Sequence, residues 1–113
     1  MLSKEEIKKN RDRFNGEDKS TVATFKALSD INRYRIFRIL IDYPKLTIGD
    51  IAQILDISLP LASQHLKILV LNNLIQKERS GKRILTRLER KNPFVQAIIK
   101  AIKIILKLNR YEQ

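Results

Sequence analysis

Ser63, Gln64 and Lys67 stand close together in the chain, and their types suit recognition better than catalysis. A glutamine amide offers an acceptor and a donor side by side, the pair that matches adenine N7 and N6 in the major groove. A serine hydroxyl bonds several bases and so discriminates weakly, while a lysine ammonium suits a phosphate. Three residues lead into this group: Ser58 as a helix N-cap, Leu59 able to touch a thymine methyl, and Pro60 early in the helix, where a missing N–H costs little. The free N–H groups at that helix start can also approach a phosphate. Further on, Lys77, Arg79, Lys82, Arg83 and Arg87 crowd around Ser80-Gly81-Lys82. Such a cationic hairpin can meet phosphates or place an arginine in a minor groove, and it also shields a strand edge from aggregation. Taken singly, each of these residues is an ordinary exposed polar group. Their grouping behind a capped turn is what favours duplex DNA.

Other chemistries find little footing. The chain has no cysteine, so disulfides, thiolate metal sites and thiol redox switches are excluded. The single histidine, His65, cannot form a histidine cluster, and beside an apolar face it reads as a packed or hydrogen-bonded structural residue. No metal and no cofactor is expected. A nucleophile–base pair, a carboxylate pair with a reason to be perturbed and a Gly-rich phosphate loop are all missing, so no enzyme is expected. The longest apolar stretch, Phe94–Leu108, is interrupted by Lys100, Lys103 and Lys107, and Met1-Leu2-Ser3-Lys4 lacks the apolar run of a signal peptide. The expectation is a cytoplasmic, nucleoid-associated protein with no membrane partner.

The net charge of +11 is unevenly spread. Residues 58–91 carry eight cationic side chains against two acidic ones, whereas residues 1–57 carry eleven against nine. The excess therefore coincides with the candidate recognition residues, where it can concentrate a polyanion by Coulomb attraction and counterion release.

The elements that must position these groups follow from punctuation and periodicity. At 113 residues and 43% apolar content the chain fits one domain, 1–113, of a size that gains by pairing. Lys4–Phe14 reads as a helix or frayed arm within 1–18, anchored only by Ile7 and Phe14 and broken at Asn15-Gly16. Lys19–Leu28 forms a second helix with Val22, Phe25 and Leu28 on one face. Asp30 caps a third, Ile31–Asp42, with Ile36, Ile39 and Leu40 inward and Arg33, Arg35 and Arg38 outward. Thr47 caps Ile48–Leu55, with Ile51, Ile54 and Leu55 inward, and Asp56-Ile57 turns the chain into Leu59–Asn72. In that helix Leu61 or Ala62, Leu66, Leu69 and Val70 point to the core. Ile75–Arg79 and Arg83–Leu88 have strand composition, giving a hairpin over 74–88, and Pro93–Asn109 is the last helix. The expected fold class is mainly α with a small β-hairpin, a winged helix-turn-helix of order α-α-α-α-α-β-β-α, its helix-turn-helix at 47–72 and its wing at 74–88.

In this setting the chain resembles the ArsR/SmtB family of repressors. Phe25-Lys26-Ala27-Leu28-Ser29-Asp30-Ile31-Asn32-Arg33-Tyr34-Arg35-Ile36 is similar to a family block that has proline where this chain has Ile31. Asp50-Ile51-Ala52 and Ala62-Ser63-Gln64-His65-Leu66-Lys67-Ile68-Leu69 resemble the short helix and recognition helix, and Arg79-Ser80-Gly81-Lys82-Arg83 resembles the wing. The resemblance implies a homodimer that binds an operator and leaves it on a signal. Metal-sensing members carry a Cys-x-Cys pair where this chain has Thr47 and Gly49, and others carry Asp and His ligands on the last helix, which Pro93–Asn109 lacks. The fold and DNA binding therefore carry over and the metal sites do not. No effector is specified.

The last helix supplies the case for pairing. Its polar residues Gln96, Lys100, Lys103 and Lys107 recur at four, three and four, a narrow stripe that leaves most of the circumference apolar. A second copy is the expected cover, through Phe94, Ile98, Ile102 and Ile105 with Val22 and Phe25, making 93–109 a dimerisation helix. Two recognition helices then sit about 34 Å apart, which calls for a near-palindromic operator. Two other uses of this helix stay open: an anionic membrane surface, or a purely internal core helix. For the whole chain, a nonspecific nucleoid protein and a winged-helix protein-interaction module are the alternatives to a sequence-specific repressor.

Overall fold

Side-chain caps stand at the starts of the helices that carry and support the site. Asp30 accepts from the backbone N–H groups of Asn32 and Arg33, Thr47 from Asp50, and Ser58 from Leu61. Each satisfies donors that the first helical turn leaves free. The computed structural model describes residues 1–14 and 16–111, so the expected break at Asn15 lies outside the described residues. The elements are α1 (Lys4–Asp12), α2 (Glu17–Leu28), α3 (Ile31–Asp42), β1 (Leu46–Thr47), α4 (Ile48–Leu55), α5 (Leu59–Leu71), β2 (Ile75–Ser80), β3 (Arg83–Leu88) and α6 (Pro93–Tyr111). The winged helix-turn-helix expectation holds, with one strand more than the sequence suggested.

That strand, β1, pairs antiparallel with β3 through Leu46↔Thr86 and Thr47↔Leu85, giving a sheet of order β1-β3-β2. Thr86 is fully buried and donates its hydroxyl to the Leu46 carbonyl at 2.9 Å, so the wing is tied to the chain just ahead of α4. The hairpin itself runs from Ile75↔Leu88 to Ser80↔Arg83. Gly81 turns it at φ 62°, a left-handed value that the tight loop requires and that a side chain would strain. Asp56 plays the matching part between α4 and α5: it takes φ 54°, and the next N–H, of Ile57, closes back on the Ala52 carbonyl. The chain bends by 112° there, within the range of a helix-turn-helix.

Ile36, Phe37 and Leu40 of α3, Leu66 and Leu69 of α5, and Val95 of α6 are fully enclosed at the centre. α3 buries Phe37 where Ile39 was expected, and Ile39 is half-buried. α4 buries Ile51 and Ala52, with Ile48 and Leu55 half-buried beside them, but leaves Ile54 outside, because at about 100° per residue Ile54 lies about 110° from the centre of that inward face. In α5 the inward member of the Leu61/Ala62 alternative is Ala62. α1 buries nothing, so Ile7 and Phe14 anchor no core contact within the chain. Val22 and Phe25 are likewise exposed, and α2 holds on through Ala27 and half-buried Leu28. No single helix among the described residues is long and apolar enough to cross a membrane.

Candidate nucleic-acid interface

α5 owes its orientation to a polar cluster at the α2–α3 corner as well as to its apolar face. Arg33, expected outside, is half-buried. Its Nε donates to the Ala27 carbonyl at 2.6 Å, at the electronegative C-terminal end of α2, and its Nη1 lies 3.3 Å from His65 Nδ1. A guanidinium can only donate, so Nδ1 accepts and the ring proton sits on Nε2. Asp30 Oδ1 lies 3.8 Å from the same nitrogen. His65 is thus a buried structural residue that ties the recognition helix to the start of α3.

The Asp30 carboxyl is held below its usual value, chiefly by the Arg33 backbone N–H, with the Asn32 backbone N–H and the Arg33 charge acting the same way against partial burial. A group whose folded value is lowered contributes stability above its unfolded value and loses it as pH falls through the folded one. Asp30→Ala should therefore lower stability by about 0.5–2 kcal/mol at neutral pH. The deficit relative to wild type should shrink below about pH 4, where the wild-type carboxylate is itself protonated. Urea melts at pH 7 and pH 3 check this; an equal deficit at both would remove the charge from the account.

The outward side of α5 is where the candidate readers are. Leu59, Pro60, Gln64 and Lys67 are exposed and Ser63 is half-buried, whereas the Ser58 hydroxyl is taken up by its cap. Leu59 and Ser63 face a cleft shared with Lys82 and Arg83 of the wing and with Gly49, Asp50 and Gln53 of α4. Recognition helix and wing are thus brought to one surface. The α4 side was missed in the sequence; Gln53 is the residue that the usual crossing of the first helix over the backbone could have flagged. Asp50 lies in the same cleft with its carboxyl held low, chiefly by the Thr47 backbone N–H and then by the Thr47 hydroxyl, with a further contribution from the Arg83 charge.

The wing cations are not equivalent. Cross-strand partners share a face, so Lys77 and Arg79, opposite Thr86 and Ile84, line one side of the hairpin. Arg87 lies on the other side, where its Nε donates to Gln76 at 3.0 Å and its Nη1 lies 3.6 Å from Glu78. Lys45 reaches the same Glu78 oxygen at 3.7 Å. Arg87 thus takes part in an exposed ion-pair network with Glu78 and Lys45, on the hairpin face that it shares with Arg83. Among the described residues no three His, Asp or Glu side chains converge.

The proposed pairing residues also divide. Phe25 is 66% exposed, Ile105 is 52% exposed, Phe94 and Val22 are exposed and Ile98 is half-buried. Ile102 is only 7% exposed and packs with Val95 and Ile99 into its own chain, so it is corrected from an interface position to a core position. One residue earlier, Ala101 lies on the open strip with Phe94, Ile98, Ile105 and Leu108 at alternating steps of four and three.

Residues 28–78 match the family described as helix-turn-helix domain. No curated protein matches the chain by sequence. Among solved structures the chain is similar to HlyU from Vibrio cholerae (TM-score 0.74, 23% identity, 81% of this chain and 97% of that one). It is similar to the homodimeric winged helix-turn-helix DNA-binding domain of Mb0332 from Mycobacterium bovis, a possible ArsR-family transcriptional regulator (TM-score 0.71, 20% identity, 84% and 85%). It is also similar to the transcriptional repressor PagR of Bacillus anthracis (TM-score 0.66, 26% identity, 76% and 95%).

Proposed function

We propose that this chain is a winged helix-turn-helix regulator of the ArsR/SmtB type, and that it binds duplex DNA sequence-specifically as a homodimer and represses transcription. The observation that carries this reading is the shared surface of α5 and the wing: Ser63 and Leu59 open onto the cleft that Lys82 and Arg83 close. A duplex laid on that surface meets base-reading groups from the N-terminal half of α5 and phosphate-neutralising charge from the hairpin. Of the similar proteins named above, one is described as a possible transcriptional regulator and one as a transcriptional repressor.

Pairing follows from the open apolar strip of α6. Phe94, Ile98, Ala101, Ile105 and Leu108 form one exposed or half-buried strip, and Val22 and Phe25, exposed on α2, are the residues assigned to the interface from that helix. A twofold axis through that seam makes the operator near-palindromic, with half-sites about one helical turn apart. Such a protein works in the cytoplasm, on the nucleoid.

Lys82→Ala with Arg83→Ala is expected to weaken binding about equally on all sequences and to reduce the slope of log affinity against log salt by about two. Gln64→Ala is expected to keep the slope and lose about 1–3 kcal/mol of preference at one base position. Anisotropy titrations at several salt concentrations, on sites selected from a random pool, measure both. Competition against random duplex should favour the selected site by roughly 10³-fold or more. Equal affinity for both would leave a nonspecific nucleoid protein.

A further inference from the structure

α6 carries a third strip that neither the core nor the seam uses. Gln96, Lys100, Lys103, Lys107 and Arg110 are all exposed and recur at the same four–three spacing. At about 100° per residue this strip lies about 160° around the helix from the seam, so a second copy there leaves it uncovered. Its C-terminal half does not simply face solvent. With α3 it encloses a cleft of about 310 Å³. Ile41, Ile102 and Leu106 form the floor, and Arg38, Lys103, Lys107 and Arg110 stand around it with one acidic neighbour, Asp42.

Four cations against one carboxylate leave a net three positive charges over an apolar floor. Among the described residues, no salt bridge joins Asp42 to any of these four cations. A recess lined by one sign of charge with low-dielectric walls focuses its field and attracts a counter-ion. The floor adds a second requirement, because an inorganic anion would leave it wet while an apolar tail would cover it. A bilayer is a poor fit, since Ile102 at the floor is recessed rather than protruding. The volume sits at the small end of ligand clefts, which limits the tail to medium length.

We propose that the α3–α6 cleft binds a small anionic amphipath, a carboxylate with a medium-length apolar tail. The tail lies on Ile41, Ile102 and Leu106, and the head is held by Lys103 and Lys107 with Arg38 or Arg110 as the forked donor.

The test titrates the whole protein with octanoate, octanol and inorganic phosphate by calorimetry and locates each in ¹H–¹⁵N spectra. Octanoate should saturate one site per chain and shift amides in 38–42 and 102–107. Octanol and phosphate should bind at least about tenfold more weakly, and Lys103→Glu with Lys107→Glu should cost octanoate a similar factor. Octanol equal to octanoate would leave an apolar crevice only, and phosphate equal to octanoate an ion site only. Shifts centred on Phe94 and Ile105, or pelleting with phosphatidylglycerol vesicles without octanoate binding, would each overturn the assignment. If the double variant fails to fold, Arg38→Gln and the ligand series on the wild type decide the matter. No DNA enters the measurement, so its failure leaves the operator reading standing.

Discussion

Ile105→Asp is expected to yield a folded monomer whose affinity for a near-palindromic operator falls by about 10²–10⁴-fold. The side chain is about half exposed in the isolated chain, so the substitution leaves the protomer core intact. In a twofold interface the same position occurs twice, and each new carboxylate would be buried against apolar surface without a partner. The dimer then dissociates. Each half-site must be bound separately, and the gain from linking two recognition surfaces, which runs to 10²–10⁴, is lost. Sedimentation equilibrium, circular dichroism and operator titration together read the outcome. Ile102→Asp is the contrasting variant: Ile102 lies in the core, so that chain should fail to fold. An Ile105→Asp protein that remains dimeric would show that α6 is not the seam.

What the sequence disclosed and what it withheld divide along the distance between cause and effect. The caps at Asp30, Thr47 and Ser58 act within three residues, so their chemistry was visible in short stretches of chain, and α3 and α4 keep the expected bounds. The Gly81 turn is legible for the same reason. β1 was invisible because two residues have no period, and Leu46–Thr47 becomes a strand only by pairing with Thr86 and Leu85, far along the chain. Arg33 looked like a surface cation because its partners, the Ala27 carbonyl and His65, meet only at a corner between helices. The pairing of Arg87 with Glu78 was hidden because that carboxylate belongs to the opposite strand. The candidate site was most legible on α5, where one helix supplies the whole row. It was least legible at Gly49 and Gln53, which reach the cleft through the 112° bend.

α6 shows the same limit from another side. Its lysine spacing gave the stripe and the broad apolar remainder correctly, but not which part of that remainder faces the chain's own core. Val95, Ile99, Ile102 and Leu106 form one four–three row, and Phe94, Ile98, Ala101, Ile105 and Leu108 form another beside it. Both rows satisfy the same periodicity. Only packing into the core cluster with α3 assigns Ile102 inward and leaves Ile105 exposed.

The second large effect tests where the core lies. Phe37→Ala should lower stability by about 3–5 kcal/mol, since Phe37 is fully enclosed and its removal leaves a cavity among helices that cannot close over it. A domain of this size has roughly 5–15 kcal/mol in total, so the loss is a large part of it and should lower the melting temperature by more than about ten degrees. Association with a second copy stabilises the folded form by mass action, so melts of wild type and variant must share one protein concentration. Ile54→Ala is the informative companion. Amphipathic spacing on α4 pointed Ile54 inward, yet it is 54% exposed, and its truncation should cost no more than about 0.5 kcal/mol. Comparable losses for the two variants would mean that α4 is rotated from the orientation described, carrying Gly49 and Gln53 away from the cleft that α5 and the wing enclose.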